Sequence, residues 1–178
     1  MPLPQSVEKL WDELERARAG VLREAEALSQ RQADWKPCES EWSVGEILDH
    51  LTLAEINTGK LTSKLLKEAP AGAVFPADLT EFAPVPGGPL GPADAPPVVW
   101  PAAGKSIGEL IATMKATRER SRQSIERLAQ CDPRQLTFKH FRLGEMNLGQ
   151  WWRLQASHDL SHLEQLREVK AAPGFPRA

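Results

Sequence analysis

The sequence predicts an all-α protein, a four-helix bundle with a long proline-rich crossover between the second and third helices. Three observations carry that prediction. Apolar residues recur three or four positions apart in four separate stretches. Ser or Asn followed three residues later by Glu or Gln opens three of them. Nine of the fifteen prolines fall together in residues 69–104. No convincing strand is found.

The first helix is predicted over residues 3–28, where Leu3, Val7, Leu10, Leu14, Ala17, Val21 and Leu28 follow steps of three and four apart from one missed beat. The second spans 43–68 and opens on S-V-G-E. There Ser43 can accept from the Glu46 N–H while the Glu46 carboxylate reaches back, and Trp42 and Ile47 supply a hydrophobic staple. Its inward residues are Ile47, Leu51, Ala54, Leu61 and Leu65. A second box, S-I-G-E, opens the third helix over 106–129, which carries Ile107, Leu110, Met114, Ile125 and Leu128. Asn147 with Gln150 caps the fourth, 148–170, which Pro173 and Gly174 close off.

The crossover, residues 69–104, is 36 residues long. A structureless loop of that length ordinarily counts against an element assignment. Here the prolines argue against a hidden helix, and a crossover that leaves helices two and three parallel is the better reading. Its last part, A-P-P-V-V-W-P-A-A-G, is apolar enough to bury itself. The expectation is that Val98 to Pro101, with Trp100 foremost, lies beside the mouth of a pocket.

At 178 residues the length prior gives one domain, 1–178. Net charge of −2 and a pI near 6.1 leave no electrostatic footprint for nucleic acid or an anionic membrane. No apolar run approaches the ~20 residues that span a bilayer. The start has charges among its apolar residues and does not read as a signal peptide. Cys38 and Cys131 make neither a disulfide framework nor a metal motif, and both read as inert. A reduced cytoplasm is the expected location.

The chain has four histidines, and the fourth helix holds two of them in S-H-D-L-S-H. Its inward stripe reads Leu148, Trp151, Gln155, His158, His162, then Gln165 or Leu166, and Val169. Residues four apart sit one above the other, so both imidazoles point where the core belongs. On the second helix His50 lies three after Ile47 and four before Ala54, again inward. If those helices are antiparallel the levels agree, since His50 is ~10 Å past its cap and His162 ~12 Å before its helix end at 1.5 Å per residue. A lone inward histidine is ordinarily a satisfied core residue. Three together would bury several polar groups needing partners. One divalent ion satisfies all three nitrogens and keeps open positions, as catalytic sites do.

The series W-K-P, E-W-S-V-G-E-I-L-D-H-L, a long loop, H-F-R-L-G-E and H-D-L-S-H-L-E-Q-L resembles the DinB/YfiT-like metal-binding bundles over nearly the whole chain. The resemblance implies a bundle with this crossover, frequent homodimers, and nickel, zinc or iron held by His50, His158 and His162. It also implies a low-molecular-weight thiol such as bacillithiol, mycothiol or glutathione as co-substrate. His140 falls in a turn resembling the family's hairpin, where a hydrogen bond within the turn is its expected job.

Other residues weigh less. Gln155, one turn from His158, is a candidate to orient a bound water. Glu46 is explained by its capping box. Asp49 and Asp159 point about 100° from their neighbouring histidines and are candidates to support them across a helix interface. Trp151 and Trp152 read as core or interface, and K-A-T-R-E-R-S-R as a solvated face. The chemistry that fits is Lewis-acid activation of a thiolate or hydroxide. The first reading is a metal-dependent thiol S-transferase-like enzyme of detoxification or stress response acting on a small molecule. The alternatives are a metal-dependent hydrolase and a non-catalytic metal-binding stress or interaction protein.

Overall fold

The structure is a computed structural model that describes residues 3–70, 74–82 and 95–177. In chain order the elements are α1 (Gln5–Ala25), α2 (Gln30–Asp34), α3 (Val44–Leu65), α4 (Ile107–Leu128), β1 (Thr137–His140), β2 (Gly144–Asn147) and α5 (Leu148–Ala171). The four long helices are those expected, each end lying within three residues of its expected place.

Local chemistry fixes the starts. The Ser43 hydroxyl accepts the Glu46 N–H at 3.2 Å and Glu46 Oε2 accepts the Ser43 N–H at 2.8 Å. Asn147 and Gln150 close the same reciprocal pair at 2.9 and 3.0 Å. Such caps are worth ~1 kcal/mol each, because they satisfy amides the helix cannot. The box expected at Ser106 is only half formed. Ser106 Oγ accepts from Glu109, but among the described residues Glu109 returns no bond to the Ser106 N–H; the next amide, the Ile107 N–H, goes to Gln30 Oε1 at 2.7 Å. The short helix α2, unforeseen in sequence, delivers that glutamine after a capping box of its own, Ser29 with Gln32.

Cross-helix pairs give the directions. Gly45 faces Leu110, Glu55 bonds Arg118, and Gly59 lies near Ser124, so α3 and α4 run parallel, as the long crossover predicts. Glu13 pairs with Arg153, Arg18 with Asp159 and Glu24 with Arg167, making α1 and α5 parallel. His50 meets His158 and Thr58 meets Gln155, so α3 and α5 are antiparallel. Among the described residues no helix is long and apolar enough to cross a membrane.

The described parts of the crossover are pinned at both ends. Phe82 lies against the first turn of α5, where a Cβ on Gly149 would come within 2.3 Å of its ring. The returning end is held to α3: Asp49 accepts the Ala102 N–H at 2.8 Å and the Lys105 ammonium at 2.7 Å, and Asn57 donates to the Val98 carbonyl at 3.3 Å. Residues 71–73 and 83–94 of the expected crossover lie outside the described residues.

The expectation of no strand is corrected by the hairpin β1–β2, antiparallel with His140 paired to Gly144. Periodicity could not show it, because β1 has no buried face and each strand is four residues long; the turn at His140 resembling the family's hairpin was its one signal. Gly144 has φ +79°, a left-handed conformation that glycine takes without strain.

The apolar core comes in two parts. One gathers Val7, Leu10, Leu14, Ile125, Leu128, Leu148 and Trp152; the other gathers Val21, Trp42, Ile47, Leu51, Met114, Leu163 and Leu166. Fully burying a leucine-sized side chain stabilises by ~1.5–3 kcal/mol, so these two layers hold the bundle. Between them runs a polar layer, with Arg18, His50, Glu55, Thr58, Arg118, Gln155, Asp159 and His162 all buried.

Candidate metal centre

Helical periodicity delivers the three histidines to one point of the polar layer. His50 comes from the second turn of α3, His158 and His162 from successive turns of α5. His158 Nε2 lies 3.1 Å from His50 Nε2 and 3.0 Å from His162 Nε2. One ring nitrogen from each of the three falls within 4.8 Å of the others. Nitrogens bound to one divalent ion at ~2.0–2.1 Å stand ~2.9–3.4 Å apart at octahedral to tetrahedral angles. The donor set fits a metal.

The remaining ring nitrogens explain the aim. His50 Nδ1 is 2.8 Å from the Val99 carbonyl and His162 Nδ1 is 2.6 Å from Gln165 Oε1. Both partners are acceptors, so both Nδ1 atoms donate and both Nε2 atoms keep bare lone pairs. Those lone pairs face His158, which has at most one Nε2 proton to offer two acceptors. Without a shared cation the cluster is short of hydrogen.

Its electrostatics keep the rings neutral. Burial pushes His50 below its ordinary range, against the opposing pull of the Val99 carbonyl and Asp49. Burial, then His162 and His50, hold His158 well below. Burial and His50 lower His162 to about 4. Neutral imidazole is the ligand form. Trp42 covers the cluster, with ring centroids 4.7 Å from His50 and 6.2 Å from His162.

A cavity of about 430 Å³ opens beside the cluster, with His50, His158 and Gln155 in its wall. Ala54, Leu61, Val98, Phe138, Trp151 and Leu154 make it largely apolar. The crossover does reach this mouth, but through Pro96, Val98 and Val99. Trp100, expected foremost, stands half exposed outside the lining and meets Trp42 edge-on at 6.1 Å. The 3-10 turn Pro97–Val99 aims the Val99 carbonyl at His50 and sends the next side chain away.

Other expectations sort as follows. Gln155 lines the cavity, its Nε2 donating to Thr58 at 2.9 Å and its Oε1 buried without a partner among the described residues. Glu46 is consumed by its cap and by Lys36 at 2.8 Å. Asp49 supports His50 indirectly, by fixing the loop that supplies Val99. Asp159 turns away from the histidines to Arg18 at 2.9 Å. His140 does bond within its turn, its Nδ1 accepting the Arg142 and Leu143 N–H groups. Cys131 is buried and pushed up to about 11 by desolvation and Asp132, as befits an inert thiol.

Two expectations are corrected. Trp151, assigned to core or interface, is a cavity wall, while its neighbour Trp152 is the core residue. K-A-T-R-E-R-S-R is not wholly a solvated face, because Arg118 and Ser121 are buried. Arg118 joins Glu55 at 2.9 Å and Asp159 at 3.2 Å, and Arg18 joins Glu55 at 2.8 Å. Sequence reasoning missed this quartet. Its signal was Glu55, a lone carboxylate one position after the inward Ala54.

Comparison with known proteins agrees with this architecture. YuaE of Bacillus subtilis (strain 168), an uncharacterized protein, is 26% identical over 157 residues, covering 86% of this chain and 93% of YuaE. The crystal structure of TT2238, a four-helix bundle protein, superposes with a TM-score of 0.61 at 20% identity, covering 91% of this chain and 98% of that one. That likeness shows the fold. The family model described as the DinB superfamily matches residues 13–166, and the chain belongs to that superfamily.

Proposed function

We propose that His50, His158 and His162 hold one divalent metal ion, and that the protein is a thiol S-transferase-like enzyme acting on a small molecule in detoxification or stress response. One observation supports this reading above all: three Nε2 atoms converge, two of them left unprotonated because Nδ1 donates to Val99 and Gln165, and His50 and His158 carry the cluster into the wall of an apolar cavity. Imidazole donors suit nickel, zinc or iron. When bound, such an ion supplies Lewis-acid chemistry, lowering the pKa of a thiol or a water. Three neutral imidazoles bring no negative charge, so the site favours an anionic further ligand such as a thiolate. The walls formed by Leu61, Phe138, Trp151 and Leu154 hold the body of an electrophile and keep water off it.

The test is metal analysis of untagged protein, followed by a transfer screen with bacillithiol, mycothiol and glutathione against a chlorodinitrobenzene acceptor. The reading requires about one metal per chain and metal-dependent release of chloride. Protein that takes up no metal under replete conditions ends it.

Metal-dependent hydrolysis is the second reading, and one observation favours it. The Gln155 Oε1 is a buried acceptor without a partner, one turn from His158. It is suited to accept a hydrogen bond from a water and orient it. Metal-dependent ester cleavage that falls in Gln155→Ala, with no thiol transfer, selects this reading.

A further inference from the structure

The hairpin before α5 puts a second kind of polar group into the cavity. His140 lines it together with His50 and His158. Its Nδ1 accepts two backbone N–H groups, from Arg142 at 3.2 Å and Leu143 at 3.1 Å. An atom that accepts twice carries no proton, so the neutral ring is protonated at Nε2. The imidazole is also fixed in place, with ring centroids 4.6 Å from Phe141 and 5.1 Å from Trp151. Burial and then Arg142 hold it below the ordinary histidine range, so the neutral form prevails near pH 7. Among the described residues the Nε2–H has no partner. The surroundings decide what it awaits. Lys139 and Arg142 flank it and form no ion pair among the described residues, although Glu145 stands opposite Lys139 across the hairpin, and no Asp or Glu is among the described residues of the wall. Phe138, Trp151, Leu61 and Leu154 offer only apolar surface beside it.

We propose that His140 is a substrate-recognition residue, whose fixed Nε2–H donates to an anionic oxygen of a ligand with an apolar body. This rests on the reading of the cavity as the substrate chamber and adds to it the ligand class, an aryl or alkyl carboxylate or sulfonate. Lys139 and Arg142 add attraction for the same charge, and the body lies along Phe138 and Trp151 toward the three histidines. A donor fixed in an apolar wall discriminates sharply, because a filled cavity that leaves it unpaired is penalised.

The test uses metal-free protein and two fluorescent probes that share one body, anilinonaphthalene sulfonate and the neutral phenylnaphthylamine. Wild type is expected to bind the sulfonate about tenfold or more tightly than the amine, the range of a hydrogen bond to a charged group. Two variants separate the donor from the turn. His140→Asn keeps an oxygen where Nδ1 accepts the turn but loses the cavity donor. His140→Gln keeps a donor near Nε2 but loses the turn acceptor. The proposal requires the Asn variant to lose most of the sulfonate preference and the Gln variant to keep most of it, with amine binding little changed. It is overturned if wild type shows no preference, if neither probe binds, or if Asn keeps the preference and Gln loses it. Should Gln fail to fold by circular dichroism, Asn alone decides: loss supports and retention overturns. Because no metal is present, failure of the metal reading leaves this result standing, and the reverse.

Discussion

Arg18, Glu55, Arg118 and Asp159 form one buried polar cluster in the middle of the bundle; His50, His158 and His162 form another a turn away on α3 and α5. The first is closed by its own charges. Glu55 and Asp159 each accept from both arginines at 2.8–3.2 Å, and all four long helices contribute a member. Desolvation pushes the Glu55 carboxyl up, yet Arg18 and Arg118 hold it below its ordinary range. Desolvation likewise pulls Arg18 down, and Asp159 and Glu55 outweigh it. Only Arg18 Nη1 lacks a partner among the described residues. The histidine cluster is the opposite: two lone pairs converge on a third ring that can satisfy one of them. Balanced donors and acceptors make a structural joint, whereas a surplus of acceptors calls for a cation. Closed clusters also bring no cavity of this size, and the open one borders 430 Å³.

Breaking the closed cluster is expected to have the largest effect. Asp159→Ala leaves two guanidinium groups short of a carboxylate in a buried layer, a loss of ~3–5 kcal/mol by urea denaturation. A cost below about 1 kcal/mol would mean that water reaches the quartet and that the contrast is overdrawn.

His162→Ala sharpens the other side. Wild type with metal at a hundred times its dissociation constant should gain ~2.7 kcal/mol of stability, and the variant almost none. Its far-UV circular dichroism should stay nearly unchanged, because leucine layers hold the helices. His158→Ala should behave alike. A variant that is still stabilised by metal contradicts the ligand set.

Acid separates the clusters without mutation. The histidines have folded pKa values below the unfolded 6.5, so the unfolded chain binds the extra protons as pH falls. Stability therefore drops from pH 6.5 downward and levels off only near 4 for His162, which alone accounts for about 1.4 kcal/mol by pH 5.5. Urea titrations at several pH values should show a slope that His162→Ala reduces. An unchanged slope would place the acid sensitivity elsewhere.

The smallest effect belongs to charge pairs that water can reach. Arg167 bonds Glu24 at 3.0 Å and Glu164 at 2.7 Å on the outside of α5. Arg167→Ala should leave the urea midpoint nearly unchanged, and whatever shift it causes should fade in salt, unlike Asp159→Ala.

Much of this was legible in the chain. Ser43 with Glu46 and Asn147 with Gln150 marked helix starts to the residue, since a capping box is a contact between neighbours. Four-residue spacing put His158 and His162 on one face, and counting turns put His50 at their level. The unread parts depended on partners far along the chain. Periodicity put Trp151 on the inward stripe and left Trp152 off it, but packing against the neighbouring helices sets the rotation of α5 so that Trp152 is buried and donates to Thr62 at 3.0 Å while Trp151 faces the cavity. Arg118 sits in a run of charge, and only Glu55 and Asp159 explain why it turns inward.

The sequence by itself determined the four long helices, the Ser43 and Asn147 capping boxes, the parallel pair that a long crossover allows, and the three inward histidines, because each follows from the period of one helix or the reach of one segment. Only the tertiary structure decided what those histidines face. The Val99 carbonyl, 49 residues from His50, accepts from Nδ1 and so leaves Nε2 unprotonated; the hairpin brings His140 to the same cavity; and the quartet closes beside them. Hydrogen bonds and charges act over a few ångströms, so groups remote in sequence take their chemistry from packing that no local pattern encodes.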